Sequence, residues 1–386
     1  MDLGFIRSGF NIIWANDFFK EAVDTYQKNI GNHIVWEDIT KIPSSNIPDD
    51  IDVVIGGFPC QGFSVANNNR STEDKRNFLY KEMLRIVKDK NPKFFVAENV
   101  KGLLSLADGK VLEMIKSDFE DLGYDVDAKV LNAAEYGVPQ TRERVIIIGN
   151  RIGRNNPFPR KTHFIPSTNG NTSALKPAIT AEEAIGYLSN VKLSKDPIIM
   201  PNGEIIYNHI ANTNVEDKFW GRKYDVCQED ICDYLRYWRD LSGWTTAKVD
   251  KHFGYGYTAG HWFRKDNNSG SIPKPDDWWE LKKMFSFDST YDEVVTTFIE
   301  KEIIFEQSLR ITNWDRPSDT ITATSPEIHV NKKRRLSVRE CAILQTFPMD
   351  YIFTGNLGKM YTQIGNAVPV VLAQRIAEEI RETIIT

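Results

Sequence analysis

The sequence predicts an α/β protein: a parallel sheet covered by helices on both faces, with a second, smaller domain inserted before the chain returns to the first. Three observations predict it. Residues 1–150 alternate short apolar runs with amphipathic helical stretches, joined by short connections. Residues 205–330 lose that rhythm and hold most of the tryptophans, and a regular pattern returns from Arg334 onward. Taken in order, residues 11–15 form a short apolar run ending at Asn16 and Asp17, and 18–27 read as a helix. Residues 51–55 (Ile-Asp-Val-Val-Ile) have a buried-strand pattern stopped by Gly56 and Gly57. Leu79, Met83, Ile86 and Val87 fall on one helical face, which Asn91-Pro92 closes. Residues 94–97 are a further buried strand. Val111, Leu112, Ile115, Phe119 and Leu122 line a second helix closed by Gly123, and residues 145–148 form another strand. Ligands of such sheets bind beyond the carboxyl ends of the strands. Asp17, Cys60 and Glu98 each follow a predicted strand and are expected to converge there.

Composition narrows the class. The 386 residues carry 48 Lys+Arg against 53 Asp+Glu, a net charge of −5, with 41% hydrophobic and 26% charged residues. This is a globular mixture, which excludes a wholly disordered or fibrous chain. No apolar run approaches the ~18 residues that span a bilayer, and the N-terminus has no signal-peptide pattern. Four cysteines are too few for a disulfide scaffold, so a cytoplasmic setting is expected.

The expected organisation is a first catalytic part at 1–160, a second domain at 161–330 and a C-terminal catalytic part at 331–386. Residues 151–180 are rich in Pro, Asn and Gly and read as a linker. Thr180 with Glu183, and Ser337 with Glu340, form capping-box pairs that start helices. Residues 373–385 read as a terminal amphipathic helix that packs back on the first part, since it has too little core to stand alone. Within the middle domain, 231–265 reads as a helix, a Ser-Gly break, a Thr-started helix, a glycine turn and a short helix. That is the shape of a helix-turn-helix, which would bring Thr258, His261, Trp262, Arg264 and Lys265 toward a groove. The plainer alternative is a helical insertion with an aromatic core. Trp278-Trp279 reads as core or interface.

Three segments carry chemistry. In 56–64 (Gly-Gly-Phe-Pro-Cys-Gln-Gly-Phe-Ser), Cys60 sits between a proline and Gln61 on a glycine-rich loop at a strand end, stiffly held and accessible. A free thiol has a pKa of about 8.5 and needs a positive or dipolar neighbourhood to be nucleophilic. Glu98 follows a hydrophobic strand and, beside Cys60, reads as a functional carboxylate. Gln140-x-Arg142-x-Arg144 places two arginines on one side of an extended chain. Residues 139–161 hold six Arg/Lys against Glu143 alone, which next to Cys60 and Glu98 suits a phosphate-bearing substrate. Residues 332–335 (Lys-Lys-Arg-Arg) are a second basic block, for which a plain surface patch is the alternative. Cys227 and Cys232 lack a second pair at metal-ligand spacing, so no metal is expected.

Together these segments resemble the cytosine-C5 DNA methyltransferase family. The matching blocks are 56–64, 98–100 (Glu-Asn-Val), Gln140-x-Arg142-x-Arg144, 334–348 and 364–369 (Ile-Gly-Asn-Ala-Val-Pro), in the family's order. The resemblance implies a Rossmann-like methyltransferase sheet with a smaller target-recognition domain. It implies double-stranded DNA as partner, a base flipped out of the helix, and S-adenosyl-L-methionine as methyl donor. By the same carry-over Cys60 is the nucleophile, Glu98 binds the N3 edge, Arg144 holds the base carbonyl and Arg142 supports the loop. The cofactor positions implied are Asp17 for the ribose hydroxyls, Asp38 and Ile39 for the adenine edge, Pro59, Leu79, Asn366, Ala367 and Val368. Gln61, Ser64, Thr320, Arg264 and Lys265 are the implied or expected DNA contacts. Asp17 also has a warrant of its own, since an acid ending the second strand of such a sheet accepts ribose hydroxyls.

The sequence departs from the family at one point. The opening aromatic-x-Gly-x-Gly-Gly turn, which precedes a sequence like Asp2-Leu3-Gly4-Phe5, is absent, so the sheet is expected to lack its first strand and glycine turn. Weak or absent cofactor binding is expected of this chain, restored by ~15–20 upstream residues. The expected enzyme is a monomeric DNA (cytosine-5-)-methyltransferase of a restriction-modification system or phage. One alternative is a catalytically impaired DNA-binding fragment. Another is a transfer-RNA methyltransferase, whose Cys-Phe-Thr tripeptide is not found here.

Overall fold

In the computed structural model, residues 1–59, 79–166, 175–213, 228–254, 262–263, 272–296, 310–324 and 326–386 are described. The chain forms two compact units. Unit 1 is Met1–Ile210, Asn313–Thr324 and Ser337–Thr386; unit 2 is Ala211–Thr312 and Ser325–Leu336. The boundary expected after residue 160 therefore falls inside unit 1, which keeps the chain as far as Ile210.

Unit 1 opens with α1 (Asp2–Arg7), β1 (Ala15–Asp17), α2 (Lys20–Asn29) and β2 (Ile34–Trp36). It continues with β3 (Val53–Gly57), α3 (Tyr80–Lys90), β4 (Phe94–Val100), α4 (Lys110–Glu120), β5 (Asp125–Asn132) and β6 (Glu143–Asn150). β1 and β2 pair in parallel, and β3, β4, β6 and β5 form a four-stranded sheet in that order. The expectation of a parallel sheet holds for β3–β4, but β6 runs antiparallel to both β4 and β5. The reason lies in the connection. Only residues 133–142 separate β5 from β6, too few for the crossover that a parallel neighbour needs. α4 carries the chain over to β5 and leaves a slot beside β4 that β6 fills.

Among the described residues β1 and β3 do not pair, so each ends its sheet with an open edge. The register Val53↔Phe94, with Phe94 N–H donating to Asp52 O at 3.0 Å, turns the backbone groups of Val54 and Gly56 toward β4. Those of Val53, Ile55 and Gly57 face outward.

Both faces of the larger sheet are covered. Phe95, Ala97, Val145 and Ile147 pack against Val87 of α3 and Ile115 and Phe119 of α4. Phe94, Val96, Ile146 and Ile148 pack against Phe5 of α1 and against Leu372, Ile376 and Ile380 of the terminal helix Val370–Ile385. A Cβ on Gly4 would lie 2.6 Å from that of Ala373; only glycine permits so close a crossing of the two helices.

The remaining helices of unit 1 are α5 (Ala181–Ile185) and, after unit 2, three near the end of the chain. In chain order the next are α6 (Gln228–Leu241), α7 (Thr246–Phe253), α8 (Pro275–Phe285) and α9 (Asp292–Thr296), all in unit 2; then come α10 (Val338–Leu344), α11 (Leu357–Asn366) and α12 (Val370–Ile385). Capping boxes at Thr180/Glu183 and Ser337/Glu340 start α5 and α10. Unit 2 has an aromatic core of Trp262, Phe263, Trp278, Phe285 and Phe287 around Ile231, Leu235 and Leu281. α6 and α7 are separated by a break at Ser242 and Gly243, and Thr245 caps α7. Trp262 is buried against Phe253 with ring centroids 5.4 Å apart, which corrects its assignment to a groove-facing position. Trp278 is fully buried, whereas Trp279 is partly exposed. Of the basic block, Lys332 pairs with Glu229 at 3.2 Å and Arg335 donates to Pro326 O at 2.8 Å.

Candidate active site

Glu98 is not beyond its strand but inside it. β4 continues to Val100 because β6 pairs with it over the whole length from Asn150 to Arg144. Ile146 stands directly opposite Glu98, and Arg144, two residues earlier in β6, shares its face and reaches it diagonally. Arg144 Nε lies 2.7 Å from Glu98 Oε1, with the side chains 12% and 13% exposed. Such a pair withstands partial burial because each charge satisfies the other. Burial lowers the Arg144 pKa, and the Glu98 carboxylate opposes that shift. On the other side of Glu98, Gly57 is its register partner in β3. A Cβ there would come within 3.2 Å of Glu98 Oε2, so glycine keeps the carboxylate uncovered. Asn99, on the opposite face, donates to Phe58 O at 3.0 Å and ties down the loop that leads to Cys60. Sequence reasoning quoted Asn99 without giving it a task. The buried single-residue step from a charged Glu was the signal available. Cys60, Gln61 and Ser64 lie outside the described residues, as do Arg264 and Lys265.

Arg142 is buried and spans distant parts of unit 1. It donates to Ile321 O at 3.0 Å and to Gly365 O at 2.7 Å. Burial, with repulsion from Arg144, brings its pKa down to about 9 against the attraction of Glu98. It therefore stays charged at neutral pH. Gln140 is buried beside it, donating to Leu344 O at 3.2 Å and accepting from Ile321 N at 2.9 Å. Thr320 turns its hydroxyl to Thr141 O at 2.8 Å. The Gln-x-Arg-x-Arg segment and residues 318–321 thus brace each other.

Part of the basic stretch is not at this end. Arg151 follows β6 and its N–H reaches Lys93 O, before the start of β4. Lys161 returns toward the near end, pairing with Glu135 just beyond β5, but β6 runs for eight residues, so Arg151 lies about 17 Å from Glu98 by strand rise, with Arg154 bonded to Asn150 close by. Antiparallel β6 is the reason. The reading that joined all six basic residues to Cys60 and Glu98 is corrected for Arg151 and Arg154, which lie at the far end of β6.

A second group sits at the carboxyl ends of β1 and β2. Asp17 ends β1 opposite Trp36, and its Oδ1 accepts from Phe19 N at 2.8 Å. Desolvation raises its pKa, partly offset by backbone N–H groups of Phe19 and Phe18. A cavity of about 330 Å³ is lined by Phe18, Trp36, Glu37 and Asp38. Phe18 and Trp36 are 77% and 57% exposed, and the Trp36 indole is fixed by donating to Phe18 O at 3.0 Å. Asp38 caps the turn Ile39–Lys41, accepting from Thr40 N–H at 3.0 Å and from the Thr40 hydroxyl at 2.8 Å, which lowers its pKa. Of the expected cofactor residues this cavity includes Asp38; Asp17 adjoins Phe18 in the chain. Ile39, Pro59, Leu79, Asn366, Ala367 and Val368 do not line it. Phe18, Trp36 and Glu37 were missed by sequence reasoning: the acids at the strand ends were readable, but the exposure of the two aromatics was not. Asn366 ends α11 exposed, and the turn after it is gripped by Gln345, which donates to Ile364 O at 2.7 Å and Ala367 O at 3.3 Å.

With a carboxylate–guanidinium pair at one strand end and an acid-edged aromatic cavity at another, the comparison with known proteins is decisive. The profile of C-5 cytosine-specific DNA methylases matches residues 1–382. The chain belongs to that family. As a member it is an enzyme that transfers a methyl group from a donor to cytosine C5 in DNA. Among curated relatives of this methylase, the Type II methyltransferase M.BspRI of Lysinibacillus sphaericus is 35% identical, over 97% of this chain and 71% of its own length. M.NgoFVII of Neisseria gonorrhoeae is also 35% identical, over 96% and 80%. Among solved structures, a DNA modification methyltransferase encoded within an E. coli prophage has a TM-score of 0.58 at 19% identity, covering 100% of this chain and 96% of that one. The S. pombe Dnmt2 methyltransferase has a TM-score of 0.52 at 16% identity, with the same coverages. At these identities both show the fold alone, a Rossmann-like methyltransferase sheet. Among the described residues of the methylase, no helix is long and apolar enough to cross a membrane. Nor does any group of three or more His, Cys, Asp or Glu there have the arrangement to hold a metal ion.

Proposed function

We propose that this methylase uses S-adenosyl-L-methionine to modify a flipped cytosine in a specific duplex site, as the modification enzyme of a restriction-modification system or phage. It works as a monomer in the cytoplasm. The observation that carries the reading is the Glu98–Arg144 pair, 2.7 Å apart, with Glu98 beside Gly57 at the end of β3, from which the chain runs on to Cys60. The Type II names of the relatives support the restriction-modification setting.

In this reading the base leaves the stack at a cost of a few kcal/mol. The Cys60 thiolate forms a bond to C6, and the ring's electrons move toward C5 and N3. Glu98 faces the N3 edge and stabilises that shift by hydrogen bonding, while Arg144 donates to the base carbonyl. Arg142 holds the platform from which Arg144 reaches. When bound, S-adenosyl-L-methionine supplies the methyl group to C5. Loss of the C5 proton then lets the C6–sulfur bond break and regenerates the thiolate. The cavity of Phe18, Trp36, Glu37 and Asp38 fits the adenosine part: flat apolar walls suit a purine, and the Asp38 carboxylate suits its amine. Asp17 would take the ribose hydroxyls. Ile39, Pro59 and Leu79, with Asn366, Ala367 and Val368 toward the methionine end, complete the proposed cofactor set. Unit 2 would read the DNA sequence, with Arg264 and Lys265 among the groups facing it and Thr320, Gln61 and Ser64 near the flipped base.

A duplex carrying 5-fluorocytosine at the methylated site tests this. Without a C5 proton to lose, the enzyme is expected to stay covalently attached when cofactor is present, and Cys60→Ser is expected to form no adduct. Undiminished methylation by Cys60→Ser would refute the reading. Bisulfite sequencing of DNA from expressing cells supplies the target site.

A further inference from the structure

We infer that Arg85 is a positioning residue for the methyl donor: it holds the turn that carries Asp38 and thereby sets the affinity for the cofactor, without touching the reacting atoms. The inference rests on the placement of the cofactor at Phe18, Trp36 and Asp38 given above.

Arg85 lies in α3, in the first two turns after Leu79. Its guanidinium donates through Nη2 to Ile39 O at 3.2 Å and to Ile42 O at 3.0 Å, and through Nη1 to Ser44 Oγ at 2.6 Å. Its Nε donates to Glu82 at 2.9 Å, which aims the fork and balances its charge. Ser44 in turn donates to Asp89 of the same helix. Ile39 and Ile42 bracket the turn Ile39–Lys41, whose N-terminal cap is Asp38. A short turn of this kind leaves its last carbonyls without internal partners. Here one cation satisfies that of Ile42 and adds a second donor to Ile39 O, which already accepts from Ile42 N at 3.2 Å; its sign also suits the carbonyl end of the turn. Ile86, the next residue of α3, packs with Ile42 and Ile47 and with Ile39 on the same turn. α3 therefore grips the turn by packing and by hydrogen bonds together.

Asp38 itself is exposed, and among the described residues its carboxylate accepts hydrogen bonds from Thr40 alone. Among the described residues, the place of its carboxylate relative to Phe18 and Trp36 is set through this turn. If the turn moves, Asp38 moves with it. The planar fork of Arg85 is needed to reach Ile39, Ile42 and Ser44 at once, and a lysine cannot do so.

The test is steady-state kinetics with S-adenosyl-L-methionine and calorimetry with S-adenosyl-L-homocysteine on the full chain, for Arg85→Ala, Arg85→Lys, Asp38→Ala and the Arg85→Ala/Asp38→Ala pair. Arg85→Ala is expected to raise the KM for cofactor about tenfold, as loss of hydrogen bonds worth one to two kcal/mol would. Its kcat at saturating cofactor and its KM for DNA should stay as they are. Arg85→Lys should give a smaller rise of the same kind, and it serves alone should the alanine variant fail to fold. In the Asp38→Ala background, Arg85→Ala should add little, because the group it positions is gone. An unchanged cofactor KM in the Arg85 variants, a loss of kcat in its place, or an equal penalty in both backgrounds would overturn the inference. If Asp38→Ala lowers affinity while the Arg85 variants do not, the cofactor placement stands and this inference alone fails. If Asp38→Ala leaves binding untouched, the placement fails and takes the inference with it.

Discussion

The two aspartates proposed to bind the cofactor have opposite electrostatics. Burial raises the Asp17 pKa above the ordinary aspartate value, whereas hydrogen bonds from Thr40 hold that of Asp38 below it. For Asp17 the sign is that of a desolvated acid. The buried charge costs stability at neutral pH, and that cost fades as the pH falls through the raised value. Binding follows the opposite course, because a protonated Asp17 accepts ribose hydroxyls poorly. Affinity for S-adenosyl-L-homocysteine, followed by fluorescence titration across the acidic range, should therefore decline while Asp38 is still charged. Asp17→Asn should flatten that decline, and Asp38→Asn should leave its position where it was. A profile that keeps its shape in Asp17→Asn would exclude Asp17 as the titrating group. The sequence made these acids legible as types at strand ends, since chain position alone brings Asp17 and Asp38 to neighbouring ends. It could not reveal Phe18 and Trp36 as cavity walls, because an aromatic next to a strand more often enters the core, and only the fold leaves these two outside.

At the level of elements, the apolar runs and breakers were readable. Buried Phe94, Phe95, Val96 and Ala97 mark a strand covered on both faces, and Asn91 in the left-handed region before Pro92 ends α3 as the pattern required. Strand direction was not readable because no apolar run marked β5 (Asp125–Asn132); once β5 is in place, the short connection 133–142 makes β6 antiparallel to it. The choice between Trp278 and Trp279 was likewise settled by packing, where Trp278 donates to Asp292 at 2.9 Å and lies against Phe287. The open edge of β3 has a measurable correlate. Amides of Val54 and Gly56 are tied to β4, whereas those of Val53 and Ile55 face outward. Hydrogen exchange at the latter pair is expected to be at least about tenfold faster. Equal protection along β3 would mean that another strand covers that edge.

At the largest scale, unit 1 is held together by contacts between remote parts of the chain. Arg142 joins β6 to Ile321 and Gly365, which are 179 and 223 residues away. Arg142→Met would strand two buried carbonyls and remove two charge-assisted bonds, an expected loss of about 3 kcal/mol. Urea denaturation should show it as a lower midpoint with an unchanged slope, and a stability equal to that of the unaltered chain would contradict the clamp. Domain order was partly legible, since the loss of strand–helix rhythm and its return from Arg334 were visible. That 313–324 rejoins unit 1 was not, because this stretch has no element of its own and is recruited by Gln140, Thr141 and Arg142. The long reach of Arg142 also bears on synthesis. A polypeptide emerging from the ribosome has Glu98 and Arg144 early, but it has no carbonyl of Gly365 to lock against until translation is almost over. Products of interrupted translation thus lack the final brace, and they are expected to be less stable than the finished chain.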